Sequence, residues 1–129
     1  MADIEPSGHP IIRTVAMPAD LNPSGDVFGG WLVSQMDVAG AVAAAQRARG
    51  RVVTVAIDAM VFHQPMRVGD LLSCYGELVR VGRTSVTYRV EAWARRRTEP
   101  SGVKITEGRF TYVAIGPDGR SVAVPPEGT

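Results

Sequence analysis

Hydrophobic and polar positions along the 129 residues alternate in some stretches and run together in others. The longest apolar run is Gly29 to Gln46, GGWLVSQMDVAGAVAAAQ, with Asp37 as its one formal charge. Its length and spacing predict a helix over 30–49, with Gly50 as a natural C-cap. A helix apolar on nearly every side belongs inside a fold, wrapped by something else. Ahead of it, Ile11 to Met17 reads as a strand ended by Pro18, and residues 18–27 form a loop rich in Pro, Asp, Asn, Ser and Gly. After Gly50 the pattern changes. Arg51 to Phe62 is β-branched and apolar on both faces, as for a strand buried on two sides. Leu71 to Val81 follows, then a tight Gly82-Arg83 turn and a strand over 84–95. That strand sets Val86, Tyr88, Val90 and Ala92 on one face and the more polar Ser85, Thr87, Arg89, Glu91 and Trp93 on the other. Residues 96–103 form a hairpin loop, Lys104 to Ile115 is the last strand, and Pro117-Asp118-Gly119 is a turn.

The predicted order is β-α-β-β-β-β. Short turns between consecutive strands imply antiparallel pairing. The fold class is therefore α+β: a five-stranded antiparallel sheet wrapped around one long helix, which is the hotdog arrangement. One domain over 11–116 is expected, with a frayed N-terminus over 1–10 and a tail over 117–129 that is either an edge extension or unstructured. A single sheet and a single helix leave edges and one sheet face poorly protected, so self-association is expected.

Composition narrows the class. The net charge of +1 gives no reason to expect a nucleic-acid partner. The single Cys74 excludes an internal disulfide, and its apolar strand predicts an inert buried thiol. His9 and His63 are too few for a His-rich metal site. The N-terminus has no signal-peptide pattern, and the apolar run over 31–45 is too short to span a membrane. A cytoplasmic protein is the default expectation.

Asp37 is the first chemical candidate. On a 100° wheel it lies beside Val33, Ser34, Gly40, Ala41 and Ala44, a small-residue side where a ligand or another backbone could approach. A carboxylate there serves either as a general base or as interface glue bonded to a partner chain. Gly29-Gly30 opens the helix. It either exposes N–H donors, Gly30 above all, to developing negative charge, or merely permits the turn. Asn22 can donate from its amide or form an Asx turn before Pro23. Asp26 fits helix capping better than catalysis. Thr54 lines the cleft or fills a strand. Gly82, Arg83, Thr84 and Ser85 offer a turn with backbone N–H groups, two hydroxyls and a guanidinium for phosphates, and Arg95-Arg96-Arg97 offers a basic strand end, or a solvated edge that resists aggregation.

Several motifs occur together: Met17-Pro18-Ala19-Asp20, Asn22, Gly25-Asp26-Val27-Phe28-Gly29-Gly30-Trp31, Ser34-Gln35-Met36-Asp37, Phe62-His63-Gln64-Pro65, Val68-Gly69-Asp70 and Val81-Gly82-Arg83-Thr84-Ser85. In this combination, over roughly residues 11–120, the chain resembles the hotdog acyl-CoA thioesterases of the YciA-like family. The resemblance implies hydrolysis of acyl-CoA without metal or prosthetic group, CoA being part of the substrate. It also implies dimers, often trimers of dimers, with Asn22 of one subunit facing Asp37 of another. Two other readings stay open: a hydratase or dehydratase on acyl thioesters, and a non-catalytic acyl-CoA-binding module. A hydratase needs a His with an acidic partner, and both histidines fall outside the Asn22–Asp37 segment.

Overall fold

The computed structural model describes residues 4–128. The long apolar run becomes one helix and the β-branched runs become strands: β1 (Ile12–Val15), α1 (Gly29–Ala48), β2 (Val52–Phe62), β3 (Leu71–Val81), β4 (Ser85–Arg95) and β5 (Val103–Ala114), with a 3₁₀ turn at Pro18–Asp20. All pairings are antiparallel, and the sheet order is β1-β3-β4-β5-β2. The expected hotdog architecture is present, with strand ends displaced by a residue or two from the sequence reading. Residues 1–3 and 129, which belong to the expected frayed terminus and tail, lie outside the described residues.

The core lies between α1 and one face of the sheet. Leu32, Met36, Ala39, Gly40, Ala44 and Ala48 turn inward at helical spacing. They meet the inward face of β4 and β5, where Val86, Tyr88, Val90, Phe110 and Tyr112 are buried. Removing that much apolar surface from water is the main favourable term in folding. The other face of β4 is less polar than its sequence suggests. Glu91 and Trp93 are both buried there, and the Trp93 Nε1–H donates to Glu91 Oε1 at 2.9 Å. Cys74 is buried as expected, and desolvation pushes its thiol up to about 12.

Five expectations need correction. The helix is not wrapped on all sides within one chain: Val38 and Val42 are 53% and 42% exposed. Likewise β2 is not buried on two sides. It is an edge strand paired only with β5, and Val55 and Ile57 are 55% and 41% exposed. Hydropathy reports that a surface wants burial and says nothing about which chain supplies the cover. At the helix C-terminus, Arg49 and not Gly50 takes the left-handed conformation (φ 56°, ψ 40°), and the N–H groups of both residues converge on the Ala45 carbonyl. Asp26 does not cap α1. The N-cap is Phe28, with no side-chain bond. Nor is the N-terminal segment loose at Glu5, whose carboxylate accepts from the Tyr75 hydroxyl at 2.6 Å and lies 3.5 Å from Arg95.

The described part of the tail is neither an added edge strand nor loose: beyond an isolated bridge between Ile115 and Ser121 it forms no ladder, yet hydrogen bonds tie it to the end of β5, to the turn before β4 and to α1. Val122 N–H donates to the Ala114 carbonyl and Val124 N–H to the Arg83 carbonyl, each at 2.9 Å, and Arg47 donates to the Pro125 carbonyl at 2.6 Å. No helix among the described residues is long and apolar enough to cross a membrane.

Candidate active site

Asp37 stands two turns into α1, over the junction of β2 and β5. Thr54 and Tyr112 are direct cross-strand partners there. The Thr54 hydroxyl donates to Asp37 Oδ1 at 2.9 Å. The Tyr112 hydroxyl lies 3.0 Å from the same oxygen and 2.9 Å from the Asp37 carbonyl. Among the described residues, no donor reaches Oδ2. Two hydroxyl partners on Oδ1, one from β2 and one from β5, hold the carboxylate in a fixed orientation. The small-residue side of the helix is real, but its visitor at Gly40 is Tyr112. A Cβ on Gly40 would lie 2.2 Å from the Tyr112 hydroxyl oxygen. Burial first, then the Asp37 charge, pushes the Tyr112 phenol well above its ordinary range, so it stays a donor.

Asn22 and Gly29 lie elsewhere. Together with Asp26, Phe62, His63 and Gln64 they line a cleft of about 320 Å³ that does not include Asp37, Thr54 or Tyr112. The Asx turn is realised: Asn22 Oδ1 accepts from Ser24 N–H at 2.9 Å and Asp26 N–H at 3.1 Å. With its oxygen engaged in the loop, the amide presents Nδ2–H as donor. Neither Gly29 nor Gly30 has a positive φ, so the turn does not demand glycine. A Cβ on Gly30 would meet nothing within 4 Å, which leaves the space above the first turn open. Gly30 precedes Asp37 by seven residues, about 10 Å of helix.

The two groups mark opposite ends of β2. Thr54, bonded to Asp37, is near its start, whereas Phe62, 3.4 Å from a Cβ built on Gly29, is its last residue. The phosphate candidates divide the same way. The 82–85 turn sits beside the Asp37 end, with Ser85 paired to Val113. Its Gly82 N–H donates to the Ser85 carbonyl at 2.8 Å, so that donor is not available to a phosphate, contrary to expectation. Arg83 and its neighbour Thr84 keep their side chains outside that turn bond. Arg95 lines a groove of about 950 Å³ with Arg13, Tyr75, Lys104 and His63, toward the Asn22 end. Arg96 is committed to Asp70 at 3.6 Å and to the Pro65 carbonyl at 3.2 Å, which ties the end of β4 to the loop before β3.

Sequence reasoning missed Tyr112 and the His63 pair. His63 Nε2 lies 2.7 Å from Glu107 Oε2, and this hydrogen bond first, helped by Lys104, holds the Glu107 carboxyl below its usual range. Lys104 Nζ is 3.3 Å from the same carboxylate and 3.6 Å from Glu91. His63 therefore does have an acidic partner and does reach the cleft of Asn22, although it is distant in sequence. Among the described residues, no group of three or more His, Cys, Asp or Glu could hold a metal ion.

Comparison with known proteins agrees with this architecture. The thioesterase superfamily model matches residues 24–101. The acyl-CoA thioester hydrolase YciA of Salmonella typhimurium is 47% identical over 129 residues, covering 98% of this chain and 97% of that protein. YciA of Escherichia coli K12 is 49% identical over 125 residues, covering 95% of each. Among solved structures, the hexameric broad specificity acyl-coenzyme A thioesterase HI0827 superposes with a TM-score of 0.86 at 45% identity, over 96% of this chain and 86% of that one. The hexameric thioesterase y2039 of Yersinia pestis superposes at 0.88 with 44% identity, over 95% and 99%. With 47% identity over nearly the whole length and a TM-score of 0.86 in agreement, this chain belongs to the thioesterase superfamily and, within it, to the YciA-like acyl-CoA thioester hydrolases.

Proposed function

We infer that the protein hydrolyses acyl-CoA thioesters in a site completed by a second copy of itself, with Asp37 as the reacting carboxylate. One observation carries the reading: Asp37 has one oxygen held by two hydroxyls and the other unengaged, at the end of β2 opposite the cleft of Asn22 and Gly29. Antiparallel pairing of β2 with β2 of the partner about a two-fold axis sets the start of one strand beside the end of the other. Asp37 and Thr54 of one subunit then face Asn22 and Gly30 of the partner subunit. The exposed Val38, Val42, Val55 and Ile57 supply the apolar surface for this dimer. The relatives' hexamers are consistent with three such pairs.

In the proposed reaction, Asp37 Oδ2 takes a proton from water as the hydroxide adds to the thioester carbonyl. The N–H of Gly30 of the partner subunit receives the oxyanion at its helix N-terminus. Loss of one such donor typically costs about 10²–10³ in rate. The amide of Asn22 of the partner subunit orients water or carbonyl. Collapse expels CoA thiolate, which takes the proton back from Asp37 and leaves as the thiol, and the carboxylic acid remains. Direct attack by Oδ2, giving an anhydride that water then opens, uses the same groups. Single turnover in ¹⁸O-labelled water separates the two, because only the anhydride route leaves label in Asp37. The same pairing draws Arg83, Thr84 and Ser85 of one subunit and Arg95 of the partner subunit toward one substrate, where guanidinium groups suit phosphates. No cofactor enters the reaction, and the acyl-CoA pool of the cytoplasm is the setting it fits.

The His63–Glu107 pair removes the sequence argument against a hydratase. The thioesterase reading is favoured by the family and by the unengaged oxygen of Asp37. A panel of acyl-CoAs assayed for thiol release tests it. Release from at least one acyl-CoA, lost in Asp37→Asn, is the expected result. Hydration of an enoyl-CoA without thiol release, or binding without turnover, would defeat it.

A further inference from the structure

Tyr112 has no part in the reaction as written, yet three features of the fold converge on it. Its side chain is wholly buried. Its hydroxyl is aimed between two oxygens of one residue, the Asp37 carbonyl and Oδ1, at 2.9 and 3.0 Å. The room for it is made by Gly40, whose place in the middle of a helix is otherwise unfavourable and where any Cβ would lie 2.2 Å from that hydroxyl oxygen. A buried hydroxyl needs one partner, and the backbone carbonyl alone would have supplied it. The additional contact to Oδ1 is what links β5 to the carboxylate.

The geometry points to Tyr112 as a positioning residue for thioester hydrolysis: with Thr54 it pins Asp37 Oδ1, turns Oδ2 toward the substrate, and Gly40 is small to admit it. This rests on the reading of Asp37 as base or nucleophile. A free carboxylate rotates and presents either oxygen. Two hydroxyl donors on Oδ1, from β2 and from β5, fix the rotamer from two directions. They leave the lone pairs of Oδ2 for water or the carbonyl carbon. Correct placement of a reacting group contributes to rate without contributing to substrate binding.

The test compares wild type, Tyr112→Phe, Gly40→Ala and Asp37→Asn as assembled full-length proteins, with kcat and KM measured separately on a short-chain acyl-CoA. Tyr112→Phe keeps the ring in the core and removes one donor to a charged group. The kcat is expected to fall about ten- to a hundredfold, with KM within about twofold. A loss confined to kcat is the mark of a misplaced reacting group, since substrate binding is untouched. Gly40→Ala keeps the hydroxyl but displaces it, and the same kcat loss is expected. It carries the readout should Tyr112→Phe fail to fold. A folded Tyr112→Phe enzyme with kcat within about twofold of wild type, or with its loss in KM and not in kcat, makes Tyr112 a packing residue and overturns the proposal, even where thermal stability has dropped. Full activity in Asp37→Asn overturns the reading beneath it, and is read independently of the Tyr112 result.

Discussion

Two inactive variants of this protein, mixed, should make an active one. Asp37→Asn is expected to lower kcat/KM for acyl-CoA by about 10²–10⁴, the usual contribution of a positioned acid or base. For the other half-site Asn22→Asp is the better choice than alanine. It keeps the oxygen that accepts from the Ser24 and Asp26 N–H groups, so the loop retains its turn, and it removes the amide donor. With a two-fold interface, each site draws Asp37 from one subunit and Asn22 from the partner subunit. Random reassembly of an equal mixture gives mixed dimers in half the population. Each has one site with both groups intact and one with neither, so about a quarter of wild-type activity should return. The measurement is thiol release after the two variants are dissociated together and reassembled. If Asp37 and Asn22 of the same chain formed the site, mixing would restore nothing.

The second large effect is expected far from any reacting atom. Ile57 lies at the middle of β2, paired to Phe110 on the helix side of the sheet, and is 41% exposed. A residue near the centre of a two-fold interface meets its own copy, so Ile57→Asp buries two like charges against each other and removes apolar area at the same place. The exposed position within one chain means that the fold of the subunit itself should tolerate the change. We expect Ile57→Asp to sediment as a smaller species with an unchanged far-ultraviolet dichroism spectrum and to lose activity by at least as much as Asp37→Asn. A variant that stays fully assembled and active would exclude β2 from the functional interface. A smaller species that remains active would place the whole site within one chain.

Much of this was legible in the sequence because each element announces itself locally. Alternation in β4, the turn residues at 69–70, 82–83 and 117–119, and the unbroken apolar run of α1 were enough for the element order and the hotdog class. Asp37 was legible as a lone charge in that run. What was hidden is hidden for physical reasons. The exposure of Val55 and Ile57 could not be read, since a side chain that will be covered by another copy has the same hydropathy as one covered by its own core. Tyr112 reads as an ordinary inward aromatic in the series Phe110, Tyr112, Ala114. The available signal was Gly40, a poor helix former in mid-helix, which marks a close approach without naming the visitor. His63 lies far in sequence from both Glu107 and Asn22; pairing of β2 with β5 brings it to Glu107, and the loop before α1 brings Asn22 to the same cleft. Arg96 looked free as one of three adjacent arginines, and its pairing with Asp70 depends on how the loop before β3 returns to the end of β4.

The sheet order also fixes a timetable. Strands β3, β4 and β5 are neighbours both in sequence and in the sheet, so they can close as two successive hairpins with short loops. By contrast β2 is synthesised before all three and has no partner in its own chain until β5 exists, some fifty residues later. During synthesis the apolar edge of β2 and the bare stripe of α1 stand open to water and to other chains, and they close last. Pulse-labelled hydrogen exchange during refolding should find amides of β3 and β4 protected ahead of those of β2. Early protection of β2 would require it to find its partner, or its copy, before the meander forms. The strand proposed to carry assembly is thus the one the nascent chain must keep longest from binding the wrong neighbour.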